Sequence, residues 1–273
     1  MENNFLSPAQ VTALYAQTGA AKAKRPTMQL ILLGILAGAL IALGSASTNT
    51  AVYGIQETWT ARMICGLLFP FGLGMVVVVG AELFTGNCLI SISLLDGKCT
   101  LTGMLRNWII VYLANFAGSL LVAWGCAWFG QLDYSNGQLA LFTMKLAATK
   151  CAIPFWNGVV LGFLYNLLVS LGVIMAMTGK DTASRIIGAF LPVSYFVLCG
   201  FEHCVANMYY ISAGLLAKAV PAYAQLAAET GLDLSTLTVG NFLIGNLVPV
   251  TIGNILGGAG LGALLWYCNR TKT

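Results

Sequence analysis

The chain has 273 residues, of which 58% are hydrophobic and 8% charged, with a formal net charge of +4. With a mean hydropathy of +0.83, that balance excludes a soluble globular domain and points to an all-α integral membrane protein. The small positive excess needs no nucleic acid or acidic substrate, because its distribution follows membrane topology.

The N-terminal stretch "SPAQVTALYAQTGAAKAKRP" has Ser7 as a candidate N-cap, Pro8 at the first helical position and Val11, Leu14, Tyr15 and Thr18 at helical spacing. Residues 1–26 therefore read as an amphipathic helix ended by Pro26. It lies at the membrane interface or, alternatively, touches the pore as a gating element. Mostly polar residues precede the first apolar run, and that run is too long for a signal core, so no cleavable leader is expected.

Four uncharged runs follow, bracketed by Arg25 and Glu57, Arg106 and Asp133, Lys150 and Lys180, and Asp233 and Arg270. Each is long enough for the roughly 20 apolar residues that span a bilayer. They predict ordinary spanning helices near 28–48, 107–129, 153–177 and 241–267. Two further regions, Arg62 to Asp96 and Arg185 to Lys218, each hold a glutamate well inside. At about 1.5 Å per residue each is too long for one upright helix. Each therefore reads as a long helical part, a non-helical turn and a short helix, which makes six spans. The polar stretches 130–149 and 218–238 read as loops with no recognisable site.

With six spans the termini share one side, which collects Lys22, Lys24, Arg25, Lys98, Arg106, Lys180, Arg185, Arg270 and Lys272. The other side holds Arg62, Lys145, Lys150 and Lys218. The positive-inside rule makes both termini, including the tail 269–273, cytoplasmic. Trp108, Trp124, Trp128, Trp156 and Trp266 near span ends read as interfacial belts. The eight cysteines form no CxxC pair and mostly fall within spans, where they act as small hydrophobes, so neither disulfides nor a metal is expected.

An internal repeat accounts for the broken elements. "GAELFTGNCLIS" (80–91) lies against "GFEHCVANMYYIS" (200–212), matching Gly80 with Gly200, Glu82 with Glu202 and Asn87 with Asn207. "GILAGALIA" from Gly34 resembles "GVVLGFLYN" from Gly158, and "NFAGSL" from Asn115 resembles "NILGGA" from Asn254. Two three-span halves, about 27–130 and 151–268, must enter the membrane in opposite directions, which is the inverted repeat of many channels and transporters. Non-helical backbone at membrane depth is tolerated only when shielded by protein or lining a wet cavity. "ELFTGN" and "EHCVAN" should therefore line a shared path. Gly34/Gly38, Gly158/Gly162 and Gly253/Gly257 are small-xxx-small patterns suited to close helix packing.

At "AELFTGN", "GFEHCVANM" and "NLVPVTIGNILGG" the chain resembles the formate/nitrite transporter family, across roughly 25–268. The resemblance implies an aquaporin-like fold, a homopentamer with one pore per protomer, and passage of small monovalent anions such as formate, nitrite or hydrosulfide across a bacterial cytoplasmic membrane. It also places His203 at the pore centre opposite Thr85, with Asn166 and Asn254 supporting that polar centre. Phe69, Leu73 and Phe196 match a cytoplasmic-side constriction, Leu83, Phe84 and Val169 an extracellular-side one, and Lys150 a lysine at the outer mouth. Formate is favoured, with nitrite or hydrosulfide as the alternative.

The residues read independently give a compatible picture. An intramembrane ionisable group usually faces a cavity, and modest surroundings can move a lone imidazole across neutrality. An anion drawn in by Lys150 would meet His203 and Thr85, and sharing a proton with His203 would lower the cost of losing its hydration. The plainer readings stay beside this one. Glu82 and Glu202 accept backbone N–H groups freed at the breaks, Asn87 and Asn207 tie down turns, Thr85 bonds its own backbone, and Lys150 snorkels to the interface. One histidine cannot supply the paired ligands of a haem or metal enzyme, so no enzyme chemistry, catalytic residue or cofactor is expected. A neutral-solute channel of aquaporin type would carry twin Asn-Pro-Ala turns, which are absent from the sequence.

Overall fold

Ser7 caps the first helix through a reciprocal pair. Its hydroxyl accepts from the Gln10 N–H, and its own N–H donates to the Gln10 side chain. In the computed structural model, which describes residues 6–270, this starts α1 (Pro8–Lys24). The buried face of α1 is Val11, Thr12, Tyr15, Ala16, Gly19 and Ala23, and it packs chiefly on α6 (Ile90–Leu95). The helix is thus docked into the molecule rather than laid on the membrane surface, because Tyr15 and the small residues around it fit the broken element below. Residues 1–5 and the tail beyond 270 lie outside the described residues.

The four ordinary spans are α2 (Thr27–Val52), α7 (Leu101–Trp128), α9 (Phe155–Thr178) and α13 (Val248–Asn269), the last preceded by a π-helical turn over Asn241–Leu247. The α7 helix begins earlier than its charge-bounded run. The Thr100 hydroxyl caps it by accepting from the Gly103 N–H, and Arg106 inside the helix reaches the Arg25 carbonyl and the Thr27 hydroxyl.

Both broken elements are present. The first comprises α3 (Thr58–Leu68), α4 (Pro70–Val79), a non-helical stretch, α5 (Phe84–Asn87) and α6; the second comprises α10 (Thr182–Cys199), a non-helical stretch and α11 (Cys204–Ala219). Gly80 and Gly200 end α4 and α10 at φ of 67° and 69°, a left-handed conformation that glycine adopts at little steric cost. Six helices are long and apolar enough to cross a membrane, and no strand occurs among the described residues.

Two stretches expected as loops are largely helical: α8 (Tyr134–Cys151) and α12 (Pro221–Glu229). Polar residues mask the stripe of Leu139, Ala140, Met144, Ala147 and Ala148 that α8 buries, packing mainly on α11. Among the tryptophans, Trp124, Trp128 and Trp156 are exposed as a belt requires. Trp108 is instead buried, and its indole donates to the Asn87 carbonyl at 2.8 Å, tying α7 to the first break.

Each half closes by packing its first span on its third, α2 on α7 and α9 on α13. Glycine permits the contact. A Cβ at Gly38 would run into the Asn115 carbonyl, at Gly118 into Ile35 O, at Gly253 into Val159 O and at Gly257 into Phe163 O. Gly118→Ala is therefore expected to lower stability by about 1–3 kcal/mol through overpacking. Gly125→Ala on the same helix, where a Cβ meets nothing within 4 Å, should be neutral or mildly stabilising. Thermal unfolding of the two variants in detergent is the comparison; equal melting temperatures would rule out the tight α2–α7 contact.

Candidate functional site: two clamped breaks and a central histidine

The two breaks are held by the same hydrogen bonds in each half. Glu82 N–H donates to Leu33 O, and Glu202 N–H to Leu161 O. Asn115 accepts from Phe84 N–H and donates to Gly34 O and Glu82 O. Asn254 repeats this with Cys204 N–H, Gly162 O and Glu202 O. Backbone groups freed at membrane depth are thereby satisfied inside the protein. These contacts pair Gly34 with Gly162, so the sequence match to Gly158 was one helical turn out of register, an easy slip where small residues recur every fourth position.

The carboxylates are neutralised rather than used as backbone caps. Glu82, fully buried, accepts from Lys22 at 3.0 Å, Arg25 at 2.7 Å and Asn87 at 2.6 Å. Glu202 accepts from Lys150 at 2.9 and 3.0 Å and from Asn207 at 2.7 Å. The expectation that these glutamates bind freed N–H groups is thus corrected, since the asparagines Asn115 and Asn254 already serve those groups. A second tier completes each cluster. Asn87 donates to Asn107, which donates to Lys22 O; Asn207 donates to Asn246, which donates to Lys150 O.

Two cavities approach the breaks from opposite faces. One, of about 410 Å³, is bordered by the end of α2, the start of α3, and Lys150, Phe69, Phe196, Glu202 and His203. The other, of about 270 Å³, is bordered by Lys22, Arg25, Glu82, Leu83, Leu73 and Val173. The α2 helix, with 26 residues and a length of about 39 Å, separates the two mouths. Phe69 and Phe196 thus belong with the Lys150 face and Leu83 with the Lys22 face, reversing the sides expected for these three. The α3–α4 element descends from the Lys150 face, so it passes Phe69 before Leu73 and reaches Leu83 last. Leu73 keeps its expected side. Phe84 packs edge-on against Trp108 and Tyr112, and neither it nor buried Val169 borders these cavities.

His203 is 3% exposed, with Nε2 at 3.5 Å from the Thr85 hydroxyl and Nδ1 without a hydrogen-bond partner. Asn166 donates to Thr85 O and Asn254 O, while its own carbonyl oxygen has no partner. In the other half Ser119 donates to Gly38 O and, at 3.5 Å, to Val205 O, the counterpart of Thr85 O. Of the polar residues expected along the path, His203 and Lys150 border the larger cavity, and Thr85, Asn166 and Asn254 do not. Thr85 faces the imidazole at Nε2 and Asn166 holds the Thr85 carbonyl, while Asn254 has both ends occupied by backbone, which makes it a clamp.

The sequence model of a family described as formate/nitrite transporter matches residues 9–268. The chain belongs to the formate/nitrite transporter family. Similar relatives of this family member are the formate channel FocA of Haemophilus influenzae, 36% identical over 97% of this chain and 95% of that one, and the formate channel FocA of Escherichia coli strain K12, 34% identical over 97% and 94%. A solved pentameric formate channel with formate bound superposes with a TM-score of 0.78 at 32% identity, covering 89% of this chain and 96% of that one. An ion channel of the same family superposes at 0.81 with 24% identity, which supports the fold.

Sequence reasoning missed Lys22, Arg25, Asn107 and Asn246 as cluster members. Two signals were available. Lys22 and Lys150 each stand four residues before a proline, Pro26 or Pro154, that opens a first span; Asn107 and Asn246 each stand eight residues before a clamp asparagine. Tyr165, which stacks on His203, carried no signal beyond its adjacency to Asn166.

Proposed function

We propose that this integral membrane protein is a channel for small monovalent anions, formate foremost, which meet His203 at the centre of each protomer. The observation that carries the reading is the buried imidazole between the larger cavity and Thr85, with a ring nitrogen left unpaired. The names of the relatives favour formate over nitrite or hydrosulfide, and the pentameric structural neighbour favours a pentamer. The nine-to-four distribution of Lys and Arg supports cytoplasmic termini, in what we take to be a bacterial cytoplasmic membrane.

The charge that collects the anion is not that of Lys150, which is spent on Glu202. Arg62 borders the same cavity, is exposed, and has the Val197 carbonyl at 3.3 Å but no carboxylate partner among the described residues. It is the uncompensated cation of that mouth. The anion then passes Phe69 and Phe196, shares a proton or hydrogen bond with His203 and Thr85, and leaves past Leu83 and Leu73. There Lys22 and Arg25 against Glu82 leave one net positive charge.

Uptake of formate, nitrite and hydrosulfide into proteoliposomes under a clamped potential tests the function, with formate expected to be fastest. A leading nitrite or hydrosulfide flux would replace the substrate, and glycerol flux without anion flux would replace the class. Arg62→Ala should raise the half-saturating formate concentration about fivefold, since a unit charge a few Å away in a water-filled mouth contributes about 1 kcal/mol. The effect should shrink as salt rises, and Arg62→Lys should restore affinity.

A further inference from the structure

The two halves match closely at their clamps and differ where the anion would be selected. By the register of the clamp bonds, Leu83 corresponds to His203, Ala37 to Tyr165, and Val76 to Phe196. At these three matched positions one half carries aliphatic side chains and the other three rings. Tyr165, 1% exposed on α9, stacks on the His203 imidazole with centroids 4.3 Å apart and planes 18° apart. It also meets Phe196 edge-on at 4.5 Å, and Phe196 in turn meets Phe69 edge-on at 5.7 Å.

We propose that Tyr165 is a positioning residue that sets the upper size limit of the permeating anion, an inference that rests on the channel reading above. Its ring occupies one face of the imidazole and braces Phe196 from behind. An anion therefore reaches His203 only through the gap that Phe196 leaves on the cavity side. Stacked and edge-on ring pairs attract one another beyond the area they bury, so a larger guest that widens the gap gives up that packing. Formate fits such a space with no alkyl group to accommodate, whereas acetate and lactate carry carbon that would have to displace a ring. Removing the Tyr165 ring lets Phe196 and His203 lean into the vacated volume, and larger monocarboxylates enter.

Initial uptake rates of lactate, acetate and formate into proteoliposomes, at one pH and a clamped potential, test this on the 273-residue chain. Tyr165→Ala should raise the lactate-to-formate ratio about tenfold, the scale on which steric pockets discriminate small alkyl groups. Tyr165→Phe, which keeps the ring, should leave the ratio at the wild-type value. Tyr165→Leu, which retains more apolar packing, should raise it as alanine does and serves if the alanine variant does not assemble. A wild-type ratio in a formate-conducting Tyr165→Ala or Tyr165→Leu channel overturns the inference and leaves the channel reading intact. A ratio raised equally by Tyr165→Phe also overturns it, because the hydroxyl and not the ring would then be responsible. A wild type that passes no formate removes both readings.

Discussion

Formate uptake by a His203→Ala variant is expected to lose the rise that the wild type shows as pH falls from about 7 to about 5, with flux at the acid end lower by at least about tenfold. The expectation follows from desolvation. A bare carboxylate crossing the Phe69/Phe196 and Leu83/Leu73 zones would give up much of its hydration, whereas a proton-sharing partner brings it closer to a neutral acid. His203 borders the larger cavity, has no ionic partner among the described residues and leaves Nδ1 unpaired. Its neighbour Glu202 is held by Lys150 and Asn207. His203→Asn separates the two parts of the role: it retains a hydrogen-bond donor and should keep flux near neutral pH while losing the slope. A His203→Ala channel with the wild-type pH profile would reduce the histidine to packing.

Much of this arrangement was legible in the residues, because membrane insertion imposes severe rules on sequence. Uncharged runs located the ordinary spans, and a glutamate inside each overlong run located the breaks, since a carboxylate at that depth demands a partner. What the sequence left hidden was the identity of those partners. Lys22 and Lys150 sit on helices outside the apolar runs, and their side chains reach back to Glu82 and Glu202 across 60 and 52 positions of chain. Hydropathy reports what a segment avoids, not which polar atom it will meet. The side of Phe69 and Phe196 was misjudged for a related reason: residue identity carries the resemblance, but depth follows from the direction in which α3–α4 and α10 cross. Tyr165 was invisible because an aromatic on a spanning helix reads as ordinary packing until the imidazole is placed against it.

The largest loss of stability is expected from Lys150→Met, at about 3–5 kcal/mol, because it leaves Glu202 buried with no counter-charge. The Lys150 and Glu202 side chains are only 14% and 7% exposed, so solvent cannot replace the lost partner. The double change Lys150→Met/Glu202→Gln should recover most of the loss, since neutralising both members removes the stranded charge while Gln can still accept from Asn207. The other half makes the sharper comparison. Glu82 keeps Arg25 at 2.7 Å when Lys22 is removed, so Lys22→Met should cost clearly less than Lys150→Met although the two lysines hold corresponding places. Thermal unfolding of the assembled protein in detergent, with gel filtration to follow the oligomer, measures all three. Equal losses at Lys22 and Lys150, with no rescue by Glu202→Gln, would mean that the breaks are held by the asparagine clamps alone and that the buried charges serve only the passing anion.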